Sequence, residues 1–453
     1  MSPEQLQREQ GQHGELGILD GHVKSGKSSI ATIAVVGLGY VGLPFSLLAA
    51  SRGFRVVGFD IDEVKVAQLS RREANFLNDE ESESFKKHTP TLSVTSDEED
   101  LQGADAFIVC VPTPVYENRV PDLRPLESAC AIVGRHISKG SLVVIESTVS
   151  PGVCEEVGLP ILEKASGLSR SEFDFAHCPE RVNPGDARWD VRVIPRVIGA
   201  LTQTGLDRAV TLYSELLDAP VLPMGSIREA EAVKMVENAF RDVNIAFVNE
   251  LAIAFDRAGI DIMNVIRGAS TKPFGYMPFY PGCGVGGHCI PVDPYYLIRY
   301  GRENGFEHTF LITARRINSR MPLYTVRLLE KSLRDRKKRL EGSTVALLGL
   351  AYKRDMRDMR ESPSHEIYNA LIRRGVSVRT YDPFAPGSTA RTIEDALSGV
   401  DAAIIATDHS VFRSLTPQHF DSYKVGIVID GRNCLDKKAF EGTGILYRGI
   451  GRG

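Results

Sequence analysis

One cysteine in a stretch rich in glycine and proline is well placed for covalent chemistry. Cys289 lies within Pro281–Pro294, which has glycine at positions 282, 284, 286 and 287. Glycines remove side chains from the approach to the backbone, and prolines stiffen it, as in many binding loops. A free thiol has a pKa of about 8.5, so a nucleophilic Cys289 needs a nearby cation to form its thiolate. The alternative is a glycine-rich turn that holds an idle small residue.

A lysine on a predicted helix is a candidate for that cation. Lys234 and Asn238 are four residues apart in a helical run, so they share one helix face. Most helical lysines are solvated, and that interpretation suffices for Lys234 alone. Its neighbours in the run are largely apolar, however, which favours a more enclosed position.

Three further polar residues follow predicted strands. Thr113 comes after the strand at 106–111, Thr148 after 142–145, and Glu180 after 173–176. Ligands of a doubly wound sheet bind beyond the carboxyl ends of its strands, so these residues are expected to face a cleft. A carboxylate there could act as a general base or hold a water molecule. Ordinary turns also favour threonine, so both threonines have a second interpretation.

A glycine motif near the N-terminus predicts dinucleotide binding. Gly37, Gly39 and Gly42 form GxGxxG between a strand (Ile33–Val36) and a helix (Leu43–Ser51). These glycines allow the tight turn, the close approach of a pyrophosphate and the packing of helix on strand. Asp60 ends the next strand, where a carboxylate can bind both ribose hydroxyls and would repel a 2′-phosphate. The motif therefore indicates NAD rather than NADP.

A second phosphate-binding pattern does not have the required context. Gly21–Ser28 satisfies GxxxxGK[ST], whose mechanism requires a helix that starts at the lysine. The residues that follow are strand-like and lead directly into the next glycine motif. We therefore interpret residues 1–30 as a loose N-terminal tail.

The middle of the chain predicts a long helix. Ser226 and Glu229 have the spacing of a capping box, and helical periodicity continues to Ala258, about 50 Å at 1.5 Å per residue. Such a helix can bridge two domains and carry a dimer contact. Helices resume from about 308 to 340.

The C-terminal third repeats the opening pattern. A strand and glycine turn (Val345–Lys353) and a strand with a terminal acid (Val376–Asp382) are followed by strands at 402–406 and 425–430. Because GxGxxG is incomplete, we expect a different nucleotide or a different binding mode, with Lys353 and Arg360 able to clamp a diphosphate. The predicted fold is α/β, with two Rossmann-like doubly wound domains joined by a central helical domain. The expected boundaries are 1–30, 31–225, 226–340 and 341–453.

The composition of the chain argues against several classes of function. The 453 residues are 43% hydrophobic and 25% charged, with a net charge of −4, which gives no electrostatic case for nucleic acid. The basic run Lys331–Arg339 suits a solvated helix face. No apolar run could span a membrane, and the first thirty residues lack the apolar core of a signal peptide. Seven scattered cysteines without metal-ligand spacing fit a reducing compartment, so we expect a cytoplasmic protein without a structural metal.

Together these stretches resemble the UDP-sugar 6-dehydrogenase family from about Ile33 to Asn433. The resemblance rests on VGLGYVGLP with Asp60, ESTVSPG, PERVNPG, EAVKMVENAFRDVNIAFVNE, PGCGVGGHCIPVDP and YKRDMRDMRESP. It implies an NAD domain, a helical dimerisation domain that forms a homodimer, and a UDP-binding domain. It also implies oxidation of the sugar C6 alcohol to a carboxylate with two NAD, as in polysaccharide biosynthesis.

The resemblance implies roles for particular residues. Cys289 matches the nucleophile, while Lys234, Asn238 and Asp293 match groups around C6. Thr148 and Glu180 match residues that orient the hydrolytic water. The implied NAD contacts are Gly37, Gly39, Tyr40, Val41, Gly42, Asp60, Lys65, Thr113 and Thr148. The implied substrate contacts are Glu180, Arg181, Lys234, Asn238, Tyr280, Gly286, Lys353 and Arg360. For His288, beside the nucleophile, a structural role is expected.

The resemblance also indicates which UDP-sugar is the substrate. Residues 271–282 and the GVGGHCIPVDP form resemble the branch that acts on UDP-N-acetylhexosamines, chiefly UDP-N-acetylglucosamine. Cys283 departs from that branch, which has proline there. The alternatives are UDP-glucose, UDP-N-acetylgalactosamine and UDP-N-acetylmannosamine. Two other classes stay open: a two-electron NAD dehydrogenase, which needs no cysteine, and a non-catalytic NAD sensor.

Overall fold

The computed structural model describes residues 28–73, 83, 85–86, 91–116, 120–181 and 190–452. The expected tail and the GxxxxGK[ST] pattern lie almost entirely outside these residues. The described residues belong to two compact units. The N-terminal unit runs to Glu237 and includes Tyr295–Asn304, and the C-terminal unit contains Asn238–Pro294 and the chain from Gly305 onward. The boundaries expected for three domains stay a prediction.

The N-terminal unit contains a sheet of eight strands. These are β1 (Thr32–Val36), β2 (Arg55–Phe59), β3 (Leu92–Thr95), β4 (Ala106–Val109), β5 (Leu142–Ile145), β6 (Asp174–His177), β7 (Arg196–Ala200) and β8 (Val221–Pro223). Their order is β3-β2-β1-β4-β5-β6-β7-β8, and every neighbouring pair is parallel except β6 with β7. The first six follow the strand order of dinucleotide-binding sheets. The sequence did not predict β3, β7 or β8.

Both faces of this sheet are covered, which explains why its central strands are continuously apolar. Alternate residues of β4 enter opposite cores: Ala106 and Ile108 pack on one face, Phe107 and Val109 on the other. The covering helices are α1 (Gly42–Ser51), α2 (Glu63–Ser70), α3 (Arg124–His136), α4 (Leu159–Ser166, preceded by a π-helical turn at Cys154–Gly158) and α5 (Gln203–Leu216).

The long helix α6 (Ile227–Ala258) is confirmed with the predicted end. Its cap differs in one detail. Ser226 Oγ accepts from Glu229 N–H at 3.2 Å, but the Glu229 carboxylate accepts from Gly225 N–H at 2.8 Å rather than from Ser226. The cap therefore extends one residue further back than a capping box.

The C-terminal unit combines helices with a second parallel sheet. Its strands are β9 (Thr344–Leu348), β10 (Ser377–Tyr381), β11 (Ala402–Ile405), β12 (Ile427–Asp430) and β13 (Leu446–Gly449), in the order β10-β9-β11-β12-β13. Only β13 was not anticipated. Its helices after α6 are α7 (Ile262–Ala269), α9 (Thr309–Asp335), α10 (Pro363–Ile372), α11 (Ile393–Leu397), α12 (Ser410–Arg413) and α13 (Pro417–Ser422). Helix α8 (Asp293–Glu303) begins in this unit, and from Tyr295 onward it belongs to the N-terminal unit.

The predicted α/β class, with Rossmann-like sheets at both ends and a helical centre, is confirmed. Helix α9 is shorter than expected and ends at Asp335, so the basic run straddles its C-terminus. Within the described ranges, no helix combines the length and the apolar character needed to cross a bilayer.

Candidate functional site

The glycine turn after β1 has the geometry that a bound diphosphate needs. Gly37 has a φ of +95°, and its N–H donates to Phe59 O at 2.8 Å. A Cβ at Gly42 would lie 1.9 Å from Gly37 O, so only glycine lets α1 begin this close to the turn. At Gly39 no atom of the described residues lies within 4 Å of the Cβ position. The backbone of Gly39 is therefore open to an approaching ligand.

Asp60 is buried at the end of β2 and is fixed against this turn. Its Oδ2 accepts from Leu38 N–H at 2.9 Å and pairs with Lys65 Nζ at 2.7 Å. Its Oδ1 accepts from Asp62 N–H at 3.0 Å. The carboxylate is thus held in one orientation beside the glycines, and Lys65 contacts it directly.

These residues fit nicotinamide adenine dinucleotide. The strand order reverses between β1 and β4, and dinucleotides bind in the crevice at that point. The open backbone at Gly39 and the N-terminus of α1 suit a pyrophosphate, and the Asp60 carboxylate suits ribose hydroxyls. Tyr40 is exposed and Val41 half-buried on the same turn. These observations support the individual cofactor contacts, which stay predictions.

The two predicted threonines are brought together. Thr113, beyond β4, donates from Oγ1 to Thr148 O, beyond β5, at 2.7 Å. Tyr296 OH donates to Thr113 O at 2.7 Å. Thr113 therefore braces the segment that carries Thr148. Sequence reasoning missed Tyr296, which had no signal beyond being a tyrosine near Asp293.

Glu180 lies beyond β6 and is mostly buried. Its side chain is 12% exposed, and Oε1 lies 3.8 Å from Nη2 of the fully buried Arg196. Arg181 donates to Pro195 O at 2.8 Å and pairs with Glu237 on α6. The Arg181 guanidinium thus binds other residues of the protein.

Lys234 is buried on α6, only 8% exposed. Among the residues that the structure describes, no acceptor lies within hydrogen-bonding or ion-pairing distance of its ammonium group. The apolar stem of Lys234 is therefore enclosed, while its ammonium group is left available to a ligand. This burial removes the interpretation of Lys234 as a solvated surface lysine and favours a position facing a ligand.

Glu231, one helical turn before Lys234, was missed by the sequence analysis. Its carboxylate accepts from Gly152 N–H at 2.5 Å and from Cys154 N–H at 2.9 Å, so α6 holds the loop that follows Thr148. Burial raises the pKa of Glu231 to about 7.

Cys289 is exposed, immediately before α8. Its carbonyl accepts from Val292 N–H at 3.0 Å and Asp293 N–H at 2.8 Å, which begins the helix. Asp293 is buried and accepts from Asn238 Nδ2 at 2.5 Å. The structure thus brings together Asn238 and Asp293 and places Cys289 one turn from that pair.

The glycines before Cys289 are required by the packing of the chain itself. A Cβ at Gly286 would lie 2.7 Å from Tyr352 Cβ, and one at Gly287 (φ +92°) 2.7 Å from Tyr352 Cε2. Gly287 N–H also donates to Arg360 O at 3.0 Å. On that side of the backbone the glycines make room for Tyr352 rather than for a ligand.

The start of the loop is held by two other parts of the same unit, helix α6 and the segment after β12. Gly282 N–H donates to Asn249 Oδ1 at 3.0 Å, and Arg432 Nη1 donates to the loop backbone at 3.3 Å. Cys283 is fully buried, and its N–H donates to Gly431 O at 2.8 Å. Proline at this position could not make that hydrogen bond.

The remaining predicted substrate contacts are spread over the C-terminal unit. Arg360 binds Asp358 through two nitrogens, with Nη2 at 2.6 Å. Tyr280 is 58% exposed, and Lys353 is half-buried. Burial and the neighbouring Arg360 lower the pKa of His288, and its structural role stays a prediction.

The acid of the second Rossmann-like sheet is already saturated by protein donors. Asp382 Oδ2 accepts from Leu350 N–H at 2.6 Å and Ala351 N–H at 2.9 Å, and lies 3.0 Å from His409 Nε2. Its Oδ1 accepts from two further backbone N–H groups. Asp382 therefore cannot serve a ribose as Asp60 can, which supports a different binding mode.

Each unit thus carries one set of the predicted residues. The N-terminal unit has the glycine turn, Asp60, Lys65, Thr113, Thr148, Glu180, Arg181 and Lys234, and the C-terminal unit has Asn238, Tyr280, Gly286, Cys289, Asp293, Lys353 and Arg360. The otherwise apolar run at 191–200 contains two arginines, Arg192 and Arg196, so the sequence alone did not single out Arg196.

The fold and these sites define a nucleotide-dependent oxidoreductase with a dinucleotide-binding sheet, a second nucleotide-binding sheet and an exposed thiol. Comparison with known protein families supports this class in three successive parts of the chain. The NAD-binding, central and UDP-binding domains of the UDP-glucose/GDP-mannose dehydrogenase family match residues 31–217, 228–320 and 346–437. The chain belongs to this family, and it is an NAD-dependent UDP-sugar dehydrogenase.

Known relatives cover nearly the whole chain. A UDP-N-acetyl-D-mannosamine dehydrogenase of Pyrococcus horikoshii is 38% identical over 93% of this chain and 99% of its own length. A UDP-N-acetyl-D-glucosamine 6-dehydrogenase of Pseudomonas aeruginosa is 40% identical over 84% and 92%. The solved structure of UDP-D-ManNAc dehydrogenase from Pyrococcus horikoshii superposes with a TM-score of 0.88 at 37% identity, covering 93% of this chain and 99% of that one.

Two glycine substitutions should separate folding from cofactor binding. Gly39→Ala adds a methyl group into open space, so we expect an unchanged melting temperature and at least tenfold weaker NAD binding, measured by calorimetry. Gly42→Ala forces a Cβ against a backbone oxygen at 1.9 Å and should destabilise the fold by several kcal/mol, roughly the cost of overpacking or more. Full NAD affinity in Gly39→Ala would contradict the assigned approach of the diphosphate.

Glu231 should make stability depend on pH. Its pKa is about 7 in the folded chain against 4.5 in the unfolded one, so between these values the folded state binds more protons. The free energy of unfolding should therefore fall by up to about 3 kcal/mol as pH rises from 4.5 to 7, and change no further above that. Urea unfolding of Glu231→Gln should lack this decrease. Glu156→Gln, which removes an exposed carboxylate nearby, is the control, and parallel profiles for wild type and Glu231→Gln would contradict the assignment.

Proposed function

We propose that this protein oxidises the C6 alcohol of UDP-N-acetylglucosamine to the carboxylate in two steps, through a covalent intermediate on Cys289. The observation that carries the proposal is the exposed Cys289 thiol one helical turn from the buried Asn238–Asp293 pair, in a chain of this family. The rest of the mechanism follows from the chemistry of the residues.

NAD held by the glycine turn and Asp60 would supply the hydride acceptor for each of the two oxidations at C6. For the first oxidation, the chain must hold the C6 hydroxyl and take its proton. Lys234 and Asn238 are suited to stabilising negative charge on that oxygen, because one carries a cation on a largely buried side chain and the other an amide. The resulting aldehyde is attacked by the Cys289 thiolate, which gives a thiohemiacetal. Lys234 is the candidate for the cation that favours the thiolate.

The second oxidation converts the thiohemiacetal into a thioester. Water then attacks C6, the C6–Sγ bond breaks, and the sugar leaves as a carboxylate while Cys289 is regenerated. We assign Glu180 as the base that takes the proton from this water, with Thr148 helping to orient it. Over the whole reaction one alcohol, one water and two NAD give one carboxylate, two NADH and three protons.

The choice of sugar rests on sequence and relatives. The GVGGHCIPVDP form and the 40% identity to a UDP-N-acetyl-D-glucosamine 6-dehydrogenase support UDP-N-acetylglucosamine. UDP-N-acetylmannosamine is the second candidate, because the relative named for that sugar matches a larger share of the chain. The UDP-binding domain is the natural holder of the nucleotide, with Lys353 and Arg360 as candidate diphosphate contacts.

We also propose a homodimer through the helical centre. Phe240 and Phe247 are seven residues apart on α6, so they share one face, and they are 49% and 54% exposed. Large exposed aromatic side chains on one helix face are typical of protein interfaces. The expected cytoplasmic location stays a prediction.

The covalent route predicts the stoichiometry of cofactor reduction. Wild-type enzyme should form two NADH per sugar, whereas Cys289→Ala should form no more than one, because the aldehyde is not captured. Progress curves at limiting sugar measure this directly. Cys434→Ala removes a half-buried thiol elsewhere and should behave as wild type. One NADH per sugar in the wild type would instead indicate the two-electron dehydrogenase, and two in Cys289→Ala would reject the nucleophile.

Initial rates of oxidation of four UDP-sugars test which of them is the preferred substrate. We expect kcat/KM for UDP-N-acetylglucosamine to exceed that for UDP-glucose by at least tenfold, which corresponds to about 1.4 kcal/mol of transition-state binding. UDP-N-acetylmannosamine and UDP-N-acetylgalactosamine complete the comparison. A higher value for any of the three would replace the proposed substrate.

A further inference from the structure

Arg196 is a fully buried arginine placed between two carboxylates of the N-terminal unit. Its Nη2 lies 3.8 Å from Glu180 Oε1, and its Nη1 lies 4.0 Å from Glu146 Oε2. Nη1 also donates to Pro179 O at 3.2 Å, the carbonyl just before Glu180. An arginine without solvent exposure is expensive to bury and is retained where its charge or its planar geometry is needed.

The antiparallel pair β6–β7 determines where Arg196 lies. His177 is opposite Gly199 in this pair, so continuing the register by three residues places Glu180 opposite Arg196. A parallel strand in this place would not bring the first residue of β7 to the carboxyl end of β6. The reversal in an otherwise parallel region therefore delivers a cation to the segment that carries Glu180.

Glu146 holds this cation from its other side. The Glu146 carboxylate is fully buried and accepts from Tyr213 OH at 2.5 Å, while Cys110 Sγ lies 3.9 Å away. Tyr213 thus fixes the Glu146 carboxylate, which faces the guanidinium at ion-pairing distance. Of the two carboxylates beside Arg196, Glu180 is the one with residual exposure, at 12% against 0%.

We propose that Arg196 is a positioning residue that holds the Glu180 carboxylate in one orientation for hydrolysis of the thioester. This inference rests on the proposed function, in which Glu180 takes a proton from water as the new C6–O bond forms and the C6–Sγ bond breaks. A guanidinium has two edges, so one can bind the fixed Glu146 while the other orients Glu180. A lysine in the same place keeps the charge but has a single nitrogen, which cannot face both carboxylates as the two terminal nitrogens of Arg196 do.

The test measures hydrolysis separately from oxidation. Wild type, Arg196→Lys and Glu180→Gln are mixed rapidly with UDP-N-acetylglucosamine and NAD, and the acyl adduct on Cys289 is followed by intact-protein mass spectrometry. In Arg196→Lys we expect both hydride transfers and KM to change less than about threefold. Hydrolysis should slow by at least about tenfold, so the adduct accumulates. An altered fold without a positioning role would instead lower the burst of NADH and leave no adduct.

Arg208→Lys is the matched control. Arg208 donates to Gly140 O at 2.8 Å and pairs with Asp174, at the opposite end of β6 from Glu180. It should hydrolyse the adduct at the wild-type rate. Glu146→Gln is the second test variant, because it weakens the other support of Arg196. Glu146→Gln should slow hydrolysis with little effect on the burst of NADH. If Arg196→Lys does not fold, the hydrolysis rate of Glu146→Gln tests the inference instead.

A double variant tests whether Arg196 acts through Glu180. If it does, adding Arg196→Lys to Glu180→Gln should slow hydrolysis by less than about threefold more, because the group that Arg196 positions is already lost. The inference would be overturned if the two substitutions multiplied in their effects on the hydrolysis rate, or if Arg196→Lys or Glu146→Gln hydrolysed the adduct at the wild-type rate. In these cases the wild type would still form two NADH per sugar, so the proposed function would stand. One NADH per sugar and no adduct in any variant would overturn the proposed function and this inference together.

Discussion

Two asparagines on helix α6 pin the loop that carries Cys289 at both of its ends. Asn249 accepts the N–H of Gly282 at 3.0 Å, and Asn238 donates to Asp293 at 2.5 Å. A loop with four glycines would otherwise have a large conformational freedom, and fixing it requires hydrogen bonds from a rigid element. The position of the thiol in the C-terminal unit therefore depends on α6.

The same helix is itself anchored by a buried polar network. Asn249 Nδ2 donates to Asn318 Oδ1 at 2.9 Å, and Asn318 in turn donates to Asp242 Oδ1 at 2.8 Å. Arg315, also on α9, pairs with Asp242 at 2.5 Å, with both side chains nearly inaccessible to solvent. Buried polar groups of this kind specify one arrangement, because a shifted helix would leave them unsatisfied. Positions 238, 242 and 249 differ by four and seven, so α6 presents these side chains on one face.

The sequence predicted those features of the structure that depend on local residue patterns. The turn Gly37–Gly42, the acid at Asp60 and the end of α6 at Ala258 follow from spacing, and all three are where they were expected. What it missed depends on tertiary neighbours. Only the folded chain shows that Tyr352 fills the space beside two glycines. Similarly, the role of Arg196 follows from an antiparallel register that no local pattern predicts.

The two Rossmann-like sheets show why a shared pattern does not imply a shared ligand. In both, an aspartate at the end of the second strand accepts the N–H of a leucine in the glycine turn: Asp60 from Leu38 at 2.9 Å, Asp382 from Leu350 at 2.6 Å. Around Asp382, His409 lies 3.0 Å from the carboxylate, which leaves less of it for a ligand. Two residues after the first glycine of the turn, the first sheet has Gly39 with open space at its Cβ position among the described residues, whereas the second sheet has Ala351. The first sheet can therefore admit a dinucleotide between its glycines and its acid, whereas the second uses the same residues to stabilise its own fold and must bind a nucleotide through other groups.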